Sequence, residues 1–144
     1  MMYNEGTIIA LSSAPGSGAI AIIRLSGEDA ISKTDLFFKS KSGKKLSESG
    51  GYSISYGDLV DNDEIIDEVV VSVYEAPHSY TGENIIEISC HGSIYIQQRI
   101  LSIFTNAGVR LASPGEFTLR VYLNNKKDLS QAEAVGDLIA SESK

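Results

Sequence analysis

Cysteine is nearly missing from this chain: Cys90 is the only one in 144 residues. One thiol makes no internal disulfide, and by itself it makes no cysteine-based metal site. Long apolar runs are missing too. Runs such as residues 19–23 and 69–71 are far too short to span a bilayer, so no membrane association is expected. The start of the chain has no basic stretch followed by an apolar core. No secretory signal is visible, and the expected compartment is the cytoplasm. Positive charge is scarce: 12 Lys and Arg stand against 19 Asp and Glu, a net charge of −7. That balance argues against a generally cationic nucleic-acid binder but leaves room for a local basic patch.

What is present fits an ordinary globule, with 42% hydrophobic and 22% charged residues. A chain of this length is one domain, or one domain plus a fragment, and can bury roughly 70% of its unfolded surface. Cys90 alternates with Ile86 and Ile88 onto one strand face, which makes it a small core residue. His91 follows it directly, and adjacent strand residues point to opposite faces, so a Cys–His pair is disfavoured. Lys39, Lys41, Lys44 and Lys45 cluster in a Ser/Gly-rich stretch. They are within reach of phosphate such as that of tRNA, but a solvated, flexible loop is the simpler account.

The pattern predicts strands at 7–11 and 19–25, separated by a Gly/Pro/Ser turn. Residues 19–25 are almost continuously apolar, as in a strand covered on both faces. Ser26 is placed to cap a helix over 28–38, with Glu28 and Asp29 in its first turn. Residues 39–51 read as a loop, and 52–60 with 65–74 as a hairpin. A strand at 85–90 precedes a helix over 93–107, whose Ile96, Ile100, Ile103, Phe104 and Ala107 share one side and whose end is marked by Gly108. Residues 109–112 make a last strand before Pro114 opens a short helix. The order predicts an α+β fold: a mixed sheet in a sandwich with helices on one face, built from linked split β-α-β units.

Several residues carry more than one reading. Gly16, Gly18 and Ala21 mimic a relaxed dinucleotide-binding pattern, but that pattern must open a helix, and here it opens a β-rich run. The nucleotide reading is therefore rejected, and no phosphate-loop motif occurs anywhere in the chain. Arg24 shares a strand face with Ile20 and Ile22. It is either a guanidinium snorkelling from a strand end or a donor group at a pocket rim. Glu87 shares a face with Ile85 and Ser89. A polar face turned to water is the simpler account, and the alternative is a carboxylate accepting paired hydrogen bonds from a ligand edge. Tyr80-Thr81-Gly82-Glu83 is a lid or only the corner before a strand. Asn124 and Asn125 suit a turn between two helices, and Lys126 and Lys127 follow them.

The C-terminal segment starts a further helix. Ser130 and Glu133 form a capping box, and Ala132, Val135, Leu138 and Ile139 recur at helical spacing. Nothing later would cover that stripe, so the chain reads as the front of a longer protein.

The blocks 114–118, 123–124 and 128–135, together with Ala14-Pro15-Gly16, residues 22–27, residues 79–83, Glu87 and His91-Gly92, resemble the MnmE (TrmE) family of tRNA-modification GTPases in order and along nearly the whole chain. The resemblance implies a folate-binding and dimerisation domain over 1–119, related to the folate domain of glycine-cleavage aminomethyltransferases, and the start of a truncated helical domain over 120–144. It implies 5-formyltetrahydrofolate, or a related tetrahydrofolate, as cofactor, with Arg24, Glu87 and Lys126 at the family's folate-contact positions. It further implies a homodimer, the flavoprotein MnmG as partner and tRNA as substrate of the whole complex. The GTPase domain, with its GTP, magnesium and potassium, is implied to lie outside this chain. Ser17, His78, Ser93, Ser113 and Leu119 depart from the family's usual residues, which bears on the hydrogen bonds around the site. The competing expectations are an aminomethyltransferase half-domain and a plain interaction domain with no functional pocket.

Overall fold

The computed structural model describes residues 6–124, so Lys126 and the 130–133 capping box lie outside the described residues. Among the described residues, seven strands form one sheet in the order β3-β4-β5-β6-β2-β1-β7. The strands are β1 (Ile8–Leu11), β2 (Ile20–Ser26), β3 (Phe38–Ser40), β4 (Ser53–Asp61), β5 (Glu64–Tyr74), β6 (Ile85–His91) and β7 (Arg110–Leu111). Among the described residues, three α-helices accompany them: α1 (Ala30–Asp35), α2 (Ile94–Asn106) and α3 (Glu116–Asn124). The β1–β7 pair is parallel and the other pairs are antiparallel, so the sheet is mixed and the fold is α+β.

The strand pleat explains how one chain builds two unlike faces. Ala21, Ile23 and Leu25 of β2 pair with Cys90, Ile88 and Ile86 of β6, and Val69, Val71 and Val73 extend the row on β5. All are buried, and α1 and α2 cover them with Ala30, Ile100, Ile103 and Phe104. The Phe104 ring meets Phe37 edge-on, with ring centres 5.2 Å apart. Cys90 belongs to this core, and burial pushes its thiol up to about 11. Residues 39–51 are not a plain loop. They contain β3's end and a 3-10 turn, Leu46–Glu48, which buries Leu46. The Asp35 carboxylate at the end of α1 holds that turn by accepting from the Leu46 and Ser47 N–H groups at 2.8 and 3.1 Å.

The helix expected over 28–38 is shorter, because Ser26 is not its cap. The Ser26 hydroxyl is buried in β2 and bonds elsewhere, while Asp29 occupies the cap position with no side-chain bond. Helix α2 does start on a capping serine, where Ser93 Oγ accepts from the Ile96 N–H at 3.3 Å. Just before it, Gly92 passes the Gly18 backbone so closely that a Cβ would lie 2.0 Å from the Gly18 carbonyl oxygen. Only glycine fits there. Helix α3 departs from the one-face expectation. Its Phe117 meets Arg24, which projects from the side of β2 opposite Ile23 and Leu25.

Candidate functional site

Arg24 and Glu87 are register partners on neighbouring strands, so the pleat places them side by side on the face that α1 and α2 leave open. Arg24 donates from Nε to Glu87 Oε2 at 2.9 Å, and its Nη2 lies 2.8 Å from the same oxygen. Both contacts land on one carboxylate oxygen. Among the described residues, no donor reaches Oε1. Each side chain is about a quarter exposed, at 23% and 24%, so the pair is half-sheltered. Of the readings weighed from sequence, Arg24 is thus not a snorkelling terminus, and Glu87 is not simply turned to water.

Two rings flank the guanidinium. Its carbon lies 5.5 Å from the Tyr80 ring centre and 5.4 Å from that of Phe117. Cation–π contacts of this kind hold a planar cation in place without consuming its hydrogen-bond donors. Two clefts open beside the pair. One, of about 400 Å³, is lined by Leu11, Ser12, Arg24, Tyr80, Pro114 and Phe117 among others. The second, of about 210 Å³, is lined by Tyr74, Tyr80, Ile85 and Glu87. Tyr80 is the wall between them. Burial, and after it the Glu87 carboxylate, raises the Tyr74 phenol above its ordinary 10.0, so Tyr74 stays neutral beside the acid.

The loop carrying Tyr80 is an anchored turn. Ser79 Oγ donates to the Glu83 carbonyl, Ala76 N–H to Asn84 Oδ1 at 2.8 Å, and Gly27 N–H to the Asn84 carbonyl at 3.0 Å. Glu83 lies deeper. It accepts from Ser26 Oγ at 2.8 Å, from Arg120 Nη1 at 3.0 Å and from Asn124 Nδ2 at 2.9 Å. Asn124, the last described residue of α3, thus reaches into this loop, and the rest of the expected Asn124–Asn125 turn lies outside the described residues. Glu116 accepts from both Arg110 nitrogens, at 3.0 and 2.6 Å, and from the Ser113 N–H at 2.9 Å.

The structure thus brings two of the three expected site residues together, and Lys126 lies outside the described residues. Sequence reasoning missed Phe117, Arg120 and the depth of Glu83. The signal for Arg120 was its i,i+4 spacing from Glu116 on a short helix. A pairing of His91 was also missed: its Nδ1 lies 2.7 Å from Asp67 Oδ1, and its N–H donates to Asp67 Oδ2 at 2.8 Å. Lys41 of the basic stretch lies 3.5 Å from Asp58 and 3.7 Å from Glu68, so its charge already faces acids. Among the described residues, no helix is long and apolar enough to cross a membrane.

The sequence pattern of the family described as GTP-binding protein TrmE N-terminus matches residues 7–126. A protein of Parabacteroides distasonis named tRNA modification GTPase MnmE is 55% identical over 139 residues, covering 95% of this chain. Proteins of the same name from Flavobacterium johnsoniae and Porphyromonas gingivalis are 52% and 51% identical, covering 98% and 99%. In each case the chain spans about 30% of the relative's own length.

Proposed function

The chain belongs to the MnmE (TrmE) family of tRNA-modification GTPases as its N-terminal domain, and on that premise we propose that it binds a formylated tetrahydrofolate at Arg24 and Glu87. The observation that carries this reading is the cross-strand pair itself: a charged couple on an open sheet face, flanked by two rings and bordered by two clefts. The donor set suits a pterin. The Glu87 carboxylate is acceptor-only. Its Oε1 is available for the donor edge of an amino-pyrimidine ring. Arg24 has further N–H groups for carbonyl or carboxylate oxygens, and Lys126 is proposed as the second cation. When bound, the folate supplies a one-carbon unit. The protein's own part is to bind it, orient it and shelter it from water.

Calorimetric titration with 5-formyltetrahydrofolate tests the reading. Saturable binding heat is expected for the chain, with affinity lowered roughly tenfold or more by Arg24→Ala or Glu87→Gln, as for loss of a charge-assisted hydrogen bond. No heat, or undiminished binding after Arg24→Ala, would favour a plain interaction domain instead.

We also propose that two copies meet through the open sheet face. Ile20, Ile54, Tyr56 and Val70 lie there at 67%, 60%, 49% and 36% exposure, which is unusual for a row of large apolar side chains. The same face continues through Ser72 and Ser89 to Glu87, which would place the folate close to the twofold axis. Light scattering at tens of micromolar would report the dimer, and Ile54→Lys should shift it to monomer.

For the longer protein we propose the family's activity, modification of the wobble uridine of tRNA together with the flavoprotein MnmG, in the cytoplasm. Its GTP, magnesium and potassium chemistry would belong to sequence outside this chain. The proposed boundary between the folate unit, 1–119, and a helical domain beginning at 120 falls within α3.

A further inference from the structure

The folate reading leaves the most deeply buried charges of the described chain without a role. Arg120 is 1% exposed and Glu116 2%. Arg120 Nη1 donates to Glu83 Oε1 at 3.0 Å and to Oε2 at 3.3 Å, and its Nη2 lies 3.6 Å from Glu116 Oε2. Asn124 Nδ2 ties the same helix to the Thr81 carbonyl at 3.0 Å and to Glu83. Ser26 Oγ, two residues beyond Arg24 on β2, reaches both Glu83 and the Thr81 hydroxyl, at 2.8 and 2.7 Å.

Stability alone is a poor account of such a cluster. A desolvated ion pair loses in hydration much of what it gains in attraction, and a well-packed apolar replacement is often no worse. What a fork of charge-assisted hydrogen bonds does supply is direction and distance. Here it joins three elements at one point: the 79–83 loop, helix α3 and the end of β2. Each of these also carries one of the groups at the cleft, namely Tyr80, Phe117 and Arg24. Phe117 lies three residues before Arg120 and seven before Asn124, so the three share a side of the helix.

We infer that Arg120 and Glu83 are positioning residues for the folate cleft. Their pair sets the spacing between the Tyr80 loop and α3, so that both rings stay against the Arg24 guanidinium. The inference deepens the folate reading and takes its ligand from it, but the geometry it explains is independent of that ligand. The single bond between Tyr80 and Thr118 hydroxyls, at 3.3 Å and exposed, is too weak to fix this spacing alone.

Two measurements test it on the 144-residue chain. The Arg24 Nε–H resonance in a 15N–1H spectrum reports directly on the two rings and on Glu87. It is expected to move in both Arg120→Met and Asn124→Leu. Affinity for 5-formyltetrahydrofolate is expected to fall about tenfold in each, with partial recovery in Arg120→Lys. Ile103→Ala, a core change remote from the cleft, controls for lost stability and should leave both readings close to wild type. If Arg120→Met does not fold, Asn124→Leu carries the test, since it removes two ties without stranding a charge. An unmoved Arg24 resonance with unchanged affinity in folded Asn124→Leu would overturn the proposal. So would equal changes in Ile103→Ala. Should the wild-type chain bind no folate, the folate reading falls, and the resonance alone decides the positioning role.

Discussion

On one side of the sheet, Ile23, Leu25, Ile86, Ile88 and Val71 are all fully buried beneath α1 and α2; one residue along each strand, Arg24, Glu87 and Ser72 face the other way and stay partly open. The two faces share every backbone hydrogen bond and differ only in which alternate side chains they display. The covered face is continuous hydrocarbon, in which the energy lies in packing. The other face places its charge beside rings and clefts, where little stability is at stake and where the proposed recognition would lie. The lesson is a division of labour by residue parity: substitutions at one parity should change folding, and at the other binding.

The strongest way to break this comparison is Phe104→Ala. The ring is fully buried on the covered side, so chemical denaturation should show a loss of about 3–5 kcal/mol. Folate affinity of the remaining folded fraction should hold. Arg24→Ala should give the opposite profile. It should weaken folate binding by about 1.5–3 kcal/mol by calorimetry, while thermal melting reports less than about 1 kcal/mol, because the lost ion pair is partly solvated. A large stability loss from Arg24→Ala would blur the distinction between the faces.

A smaller effect is expected from Ser93→Ala. Removing the cap of α2 should cost about 1 kcal/mol by denaturation and leave binding alone. The last is a pH effect at Cys90, absent at neutral pH and seen only in alkali. Burial raises its folded value from 9.0 to about 11, so the unfolded chain loses its thiol proton first. Stability should be intact below 9.0 and decline as pH rises towards about 11. In Cys90→Ala that part of the decline should vanish, and a pH series of denaturation curves would show it.

The parity rule was legible in the sequence wherever it ran long enough. Alternation in 85–90 and the apolar run of 19–25 placed β6 and β2, and the helical spacing of Ile96, Ile100 and Ile103 placed α2. The short elements were not legible. Strand β3 has only three residues, and its pairing with β4 is a long-range fact that no local pattern encodes. Ser26 carried a valid cap signal, yet the deeper bonds to Thr81 and Glu83 claimed its hydroxyl. Arg24 and Glu87 were singled out separately, and the family resemblance joined them. Their direct contact depends on strand register, which spacing along the chain does not reveal. The Glu83–Arg120 pair was invisible for the same reason, since its partners stand 37 residues apart.

The claim that the open face is a folate site is tested most directly by a crystal structure grown with 5-formyltetrahydrofolate. The account predicts the folate in the clefts beside Tyr80, with its pterin edge on Glu87 and Arg24 still against the rings. Folate bound elsewhere, with the Arg24–Glu87 pair untouched and the clefts empty at saturation, would contradict it.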